Sequence, residues 1–193
     1  MELPTLKFSF DYGVCLWVKG GAAEPEDLPV SDGLRRELEK ANDEFPNYLN
    51  WSDPHNPPMW TLEQTYAFFD RMELVYKKLE EELRGKYTVI NGLDGDRQMY
   101  CKPEHWVLEF RFDKGNTGIW YENCAMRYNE LQVSDSLAKE LRELCAKYNA
   151  KTDWTKEQET CFRRRAAFAG KKLQEELCGK YTVINCFEEY IEK

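Results

Sequence analysis

Seven residues, GKYTVIN, are written twice in this chain, at Gly85 to Asn91 and at Gly179 to Asn185. Seven matches in the same order do not arise by chance in 193 residues, so they report an internal duplication. That constrains the fold more than any other feature: whatever one copy builds, the other must build too. Two units are too few for a solenoid, which needs about three repeats to close a continuous core. The expectation is a tandem pseudo-dimer.

The rest of the unit is read outward from this anchor. Lys7 to Asp11 alternates in strand fashion with Phe8 and Phe10 on one face, and Val14 to Val18 follows after Tyr12 and Gly13, which predicts a hairpin. Asp11, recurring as Asp113, is read as the side chain of an Asx-type turn. Ser31 is a good helix N-cap, and Leu34, Leu38, Ala41, Phe45 and Tyr48 form one apolar stripe that Pro46 cuts short. Thr61 and Gln64 have the spacing of a capping box, and Phe68, Met72, Val75, Leu79 and Leu83 continue the stripe of a second helix. Gly85 suits the left-handed residue after that helix, and Tyr87 to Ile90 reads as a central strand. Each unit is therefore β-β-α-α-β.

In the second copy Phe110, Phe112, Asp113 and Trp120 stand for Phe8, Phe10, Asp11 and Trp17, and Thr155 with Gln158 repeats the capping box. The spacing between copies shrinks because the first has nine more residues in its tryptophan- and proline-rich loop, Asn50 to Trp60. The fold class expected is α+β, two-lobed, with a first repeat over 1–95 that closes on a D-G turn at Asp94 and Gly95, a joining segment over 96–105, and a second repeat over 106–193. In the second helix of each copy, Met72, Val75 and Tyr76 correspond to Ala166, Ala169 and Gly170. Large facing small predicts that the two helices pack together across a pseudo-twofold axis.

Charge separates the copies. Residues 1–95 hold 10 lysines and arginines against 18 acids, whereas residues 96–193 hold 17 of each, so the whole net charge of −8 belongs to the first half. A field of one sign on one lobe steers a basic partner and disfavours phosphate backbones. No run approaches the roughly 18 apolar residues of a membrane span, and the residues after Met1 lack the apolar core of a signal peptide, so a cytoplasmic protein is expected. Seven cysteines, an odd number with no C-x-x-C pair, point to reduced thiols; Cys145 and Cys161 are read as small buried hydrophobes. No nucleotide loop, zinc-protease helix or nucleophile elbow is present, so no catalytic, metal or cofactor residue is assigned. Trp51, Trp60, Phe69 and Tyr76, beside Glu24, Glu26, Asp27 and Asp53, compose an aromatic patch with a carboxylate rim, the make-up of a protein-binding surface.

The pattern of Phe10-Asp11-Tyr12-Gly13, then Leu16-Trp17, Asp27-Leu28-Pro29 and Ser31, Trp51 with Asp53-Pro54, and a closing Tyr87 and Val89 resembles small acidic domains common in bacterial genomes, similar to immunity proteins of toxin systems. The second copy lacks the Asp-Pro loop and has Leu131-Gln132-Val133 in place of Leu28-Pro29-Val30. The resemblance implies a non-enzymatic cytosolic binder, monomer or homodimer, that covers the active site of a basic toxin such as a nuclease. The alternative from another class is an adaptor that self-associates through its aromatic face. A small cysteine enzyme, a third option, would announce itself by a thiol of depressed pKa.

Overall fold

The computed structural model describes residues 2–51, 56–113 and 115–191. Two compact units emerge, the first running to Lys102 and the second beginning at Pro103. Each is a four-stranded sheet with two long helices, mixed in α and β content.

In the first unit β1 (Thr5–Asp11) and β2 (Val14–Val18) form an antiparallel hairpin. Its two turn residues, Tyr12 and Gly13, have φ of 44° and 92°. Left-handed conformation at both central positions matches the right-handed strand twist, so backbone geometry makes this turn. A short β3 (Gly21–Ala22), absent from the expected β-β-α-α-β order, extends the sheet beyond β2. Helix α1 (Asp32–Glu44) starts at Ser31, whose hydroxyl accepts from the Leu34 amide, and gives way at Pro46 to a 3-10 turn over Phe45–Tyr48. The Ser31 amide and hydroxyl both donate to Glu82, tying the start of α1 to the end of the next helix. That helix, α2 (Leu62–Glu82), carries the expected capping box of Thr61 and Gln64. Gly85 follows it at φ 78°.

Strand β4 (Thr88–Asn91) then runs parallel to β1, with Thr5 opposite Thr88 and Phe8 opposite Asn91. The strand order β3-β2-β1-β4 puts it at the edge and not, as the sequence suggests, in the centre. A return through two helices makes the pairing parallel, and β1 already has β2 on its other side. Beyond it, Leu93–Tyr100 is a helix, α3, where a D-G turn is expected; Asp94 and Gly95 lie within its first turn. The Asn91 side chain starts it by accepting from the Leu93 amide.

The second unit repeats this order: β5 (Val107–Phe110), β6 (Ile119–Tyr121), β7 (Cys124–Ala125), α4 (Asp135–Asn149), α5 (Lys156–Glu176) and β8 (Thr182–Asn185), arranged β7-β6-β5-β8. Ser134 caps α4 and donates to Glu176, and Thr155 with Gln158 boxes α5, as in the first unit.

The cores differ. Phe8, Phe10, Phe45, Phe68 and Phe69 interlock in the first, with ring centroids about 5 to 6 Å apart. The second replaces part of that volume with Ala166 and Ala169, buried among Leu108, Leu141 and Leu173. The small residues of α5 are thus accounted for inside their own unit. A Cβ on Gly170 would stand 2.5 Å from the Asn185 side chain, which folds inward and donates to the Ala167 carbonyl. In the first unit Tyr76 occupies the corresponding place and stacks on Phe8.

Candidate partner-binding interface

The structure disperses the residues singled out as a partner surface. Phe69 is 0% exposed, enclosed by Phe10, Phe45, Phe68 and Tyr100, and presents nothing to a partner. The buried arc of α2, from Thr65 through Phe68, Met72, Val75 and Leu79, is wide enough to take this second ring inward as well. Trp60 is half-buried against Phe45, Tyr48 and Phe68. Tyr76 is also half-buried, its hydroxyl donating to Glu80; burial, then the charge of Glu80, raises its pKa. Glu24, Glu26 and Asp27 are exposed, in and beside the 3-10 turn that leads to the amino end of α1. Trp51 is 60% exposed and donates its indole N–H to the Pro46 carbonyl, at the other end of α1. Thirteen residues at 1.5 Å each separate these ends by about 20 Å. Asp53 lies outside the described residues, as does His55.

What the fold does assemble lies around the hairpin tip and α3. Tyr12, 73% exposed, comes within 6.2 Å of the Trp51 ring, making an exposed aromatic pair. Next to it a cleft of about 430 Å³ opens between the outer sheet face and α3. Lys7, Ser9, Asp11 and Trp17 line it from β1 and β2, and Asp96, Met99 and Tyr100 from α3. The alternation that sends Leu6, Phe8 and Phe10 into the core sends Lys7, Ser9 and Asp11 to this face.

Asp96 holds the cleft together. Its carboxylate accepts from the Ser9 hydroxyl at 2.8 Å and the Phe10 amide at 2.7 Å, so it satisfies β1 where β4 has ended. Burial raises its pKa above the ordinary carboxylate value, with these two hydrogen bonds and Lys7 opposing the rise. Tyr100 donates to the Phe10 carbonyl, and its phenol is pushed up to about 12, by burial first and then by Asp11 and Asp96. Arg97 anchors the other side of α3 on Asp70 at 2.9 Å. Gly92 permits the approach: a Cβ there would sit 2.6 Å from the Ser9 Cβ and 2.9 Å from the Phe8 carbonyl oxygen.

The sequence reading missed this cleft because the residues after Asn91 do not match those after Asn185, so no repeat marks them as a helix. The signal present was Gly92 followed by an apolar residue at 93 and acids at 94 and 96, favourable in a first turn. Burial pushes Cys15 up to about 12 and raises Cys101, and partial desolvation with the charge of Glu109 raises Cys186, whose side chain is at the surface. Cys161 is exposed on α5 and not buried as expected, while Cys145 is half-buried and donates to the Asn116 carbonyl. Among the described residues no helix is long and apolar enough to cross a membrane.

Among curated proteins nothing matches this chain. Residues 4–91, nearly all of the first unit and the strand side of the cleft, match the family described as Serratia CdiI immunity protein-like, so the first unit is similar to the immunity proteins of toxin systems.

Proposed function

We propose that this protein is an immunity protein that binds the toxin of a contact-dependent inhibition system and blocks its active site, without catalysis of its own. The observation that carries the reading is the family match over residues 4–91. Two others support it. The excess of acids sits in the same half of the chain, suiting a basic toxin such as a nuclease. The exposed pair Tyr12 and Trp51 supplies aromatic anchors of the kind that dominate protein interfaces. The protein works in the cytoplasm, where such a toxin would act, as a monomer or homodimer. The two units descend from one module by tandem duplication, which the repeated heptapeptide, the shared strand order and the paired capping boxes support.

The test is co-expression with the toxin domain encoded beside the gene. The expected outcome is restored growth, a stable complex on size-exclusion chromatography, and an association rate that falls steeply between low and high salt. Toxicity that persists, with no complex formed, overturns the proposal. Reversing Glu24, Glu26 and Asp27 together is expected to slow association about tenfold. Trp51→Ala, at the other end of α1, is expected instead to speed dissociation.

A further inference from the structure

The outer faces of the two sheets carry the same fitting. In the first unit the Trp17 indole N–H donates to the Ser9 carbonyl at 2.7 Å; in the second, the Trp120 indole N–H donates to the Arg111 carbonyl at 3.0 Å. Trp17 stands opposite Lys7 in its hairpin as Trp120 stands opposite Glu109. The two indoles are therefore pinned to corresponding backbone positions by the same bond. They differ in what lies against the ring. The Arg111 guanidinium covers Trp120, 4.6 Å from the ring centroid, with its Nε 3.1 Å from the Glu109 carboxylate. Ser9 holds the place of Arg111 in the first unit, and its hydroxyl turns to Asp96. Trp17 there becomes a wall of the cleft, with Asp11, Asp96 and the thioether of Met99 around it.

We propose that this cleft is a socket for an arginine side chain of the toxin, which takes over Trp17 the position that the chain's own Arg111 takes over Trp120. The inference rests on the immunity reading and names the contact by which it works. A guanidinium is planar and weakly hydrated, so it stacks on an indole face while its edge offers two parallel donors to a carboxylate. Asp11 is exposed and lines the cleft, where such a fork can reach it. Asp96 lies deeper, held by Ser9 and Phe10. Lys7 offsets one of the two carboxylates and leaves the socket one negative charge in excess. A lysine ammonium, compact and strongly hydrated, matches neither the flat wall nor the paired acceptor. Met99, 56% exposed on α3, offers an adaptable apolar edge for the aliphatic stem of the incoming side chain.

The first test needs no toxin. The purified chain, labelled at the tryptophan indole nitrogens, is titrated with N-acetyl-arginine methylamide and, separately, with the citrulline analogue, which has the same shape without the charge. The expected result is saturable movement of the Trp17 signal with a Kd on the order of millimolar, little movement of Trp120, whose face is already covered, and none with citrulline. Equal movement at both indoles, an equal response to citrulline, or no response overturns the socket.

The second test uses the toxin complex. Asp11→Asn is expected to weaken binding about tenfold, and Ser9→Arg, which would supply the socket with an internal guanidinium, by about a hundredfold. Because Ser9→Arg could also lift α3, Met99→Ala serves as a milder companion, with circular dichroism and the melting temperature as folding controls. Unchanged binding in Asp11→Asn and Met99→Ala overturns the inference while leaving the immunity reading intact. Failure of the unaltered chain to neutralise its toxin overturns that reading instead, whatever the arginine titration shows.

Discussion

After their parallel edge strands the two units diverge, and a single position shows why. The amides of Gly92 and Cys186 make the same bond, to the carbonyls of Phe8 and Phe110 respectively. From Gly92 the chain presses against β1 as α3; from Cys186 it turns through Phe187, which packs on Phe110 and Phe112, into a 3-10 turn over Glu188–Tyr190. Glycine admits backbone closer to the strand than cysteine does, and Ser9 leaves room where Arg111 fills it. The cleft of the first unit is thus the joint result of two small residues, Ser9 and Gly92. The strand order is common to both units; the pair of small residues at these two positions is not.

The largest expected effect comes from exchanging what the two long helices bury. Phe69 sits in the aromatic core, whereas its counterpart Arg163 is half-exposed, bonded to Glu159 and Tyr190. Phe69→Ala should cost about 3–5 kcal/mol in urea denaturation through the cavity it leaves. Arg163→Ala should cost less than about 1 kcal/mol, because an i,i+4 ion pair at the surface is screened by water. Comparable losses at both positions would show that the cores are less different than their packing indicates.

Next in size is the divergence point itself. Gly92→Ala forces a Cβ against the Phe8 carbonyl and the Ser9 side chain, and should cost about 1–3 kcal/mol while loosening α3. Cys186→Ala removes an exposed thiol and should change stability by no more than about 0.5 kcal/mol. Hydrogen exchange at Phe10 gives the sharper readout. Its amide is held by Asp96, a residue of α3, and should lose protection in Gly92→Ala alone.

These particulars also show what could be read before the fold was seen. The hairpin, both long helices, their caps and the stop at Pro46 follow from local spacing and side-chain chemistry, which act within a few residues. The edge position of β4 does not, because strand order depends on how the helices carry the chain back. Phe69 was legible as apolar but not as enclosed; next to Phe68 in an amphipathic helix, one ring could as well have faced a partner. Of the surface proposed from sequence, Trp51 and the acids of the 24–27 turn are exposed as expected, yet α1 separates them. Composition had placed them together because composition carries no distances. The cleft was hidden more deeply, since it joins Lys7 and Ser9 of β1 to Asp96, 87 positions beyond Ser9, and each is unremarkable by itself.

A smaller effect tests where the units should agree. Thr61 and Thr155 make the same reciprocal cap with Gln64 and Gln158. Each threonine hydroxyl satisfies one amide of a first turn, so Thr61→Ala and Thr155→Ala should each cost about 1 kcal/mol. Agreement between the two losses within a few tenths would place the units' difference in what packs against the helices. A gap of 1 kcal/mol or more would mean that the helices themselves differ in how far they depend on their first turns.

The smallest effect, and the most specific to the cleft, is the titration of Asp96. Burial raises its pKa in the folded protein, and hydrogen bonds from Ser9 and Phe10 only partly oppose that rise. A carboxyl that holds its proton more tightly when folded adds stability in full below its unfolded pKa. That contribution is lost as pH climbs through the folded value, the reverse of an acid stabilised by a salt bridge. Carbon-detected NMR of the Asp96 carboxyl should therefore show a midpoint above the usual aspartate range. Removing the Ser9 hydroxyl, in Ser9→Ala, takes away one of the bonds that favour the ionised form and should move the midpoint further up. A guanidinium bound in the socket should move it down, since a positive charge close to a carboxylate favours ionisation. An upward or absent shift on adding the arginine probe would place the bound cation away from Asp96, and the likeness to the covered face of Trp120 would then stop at the indole.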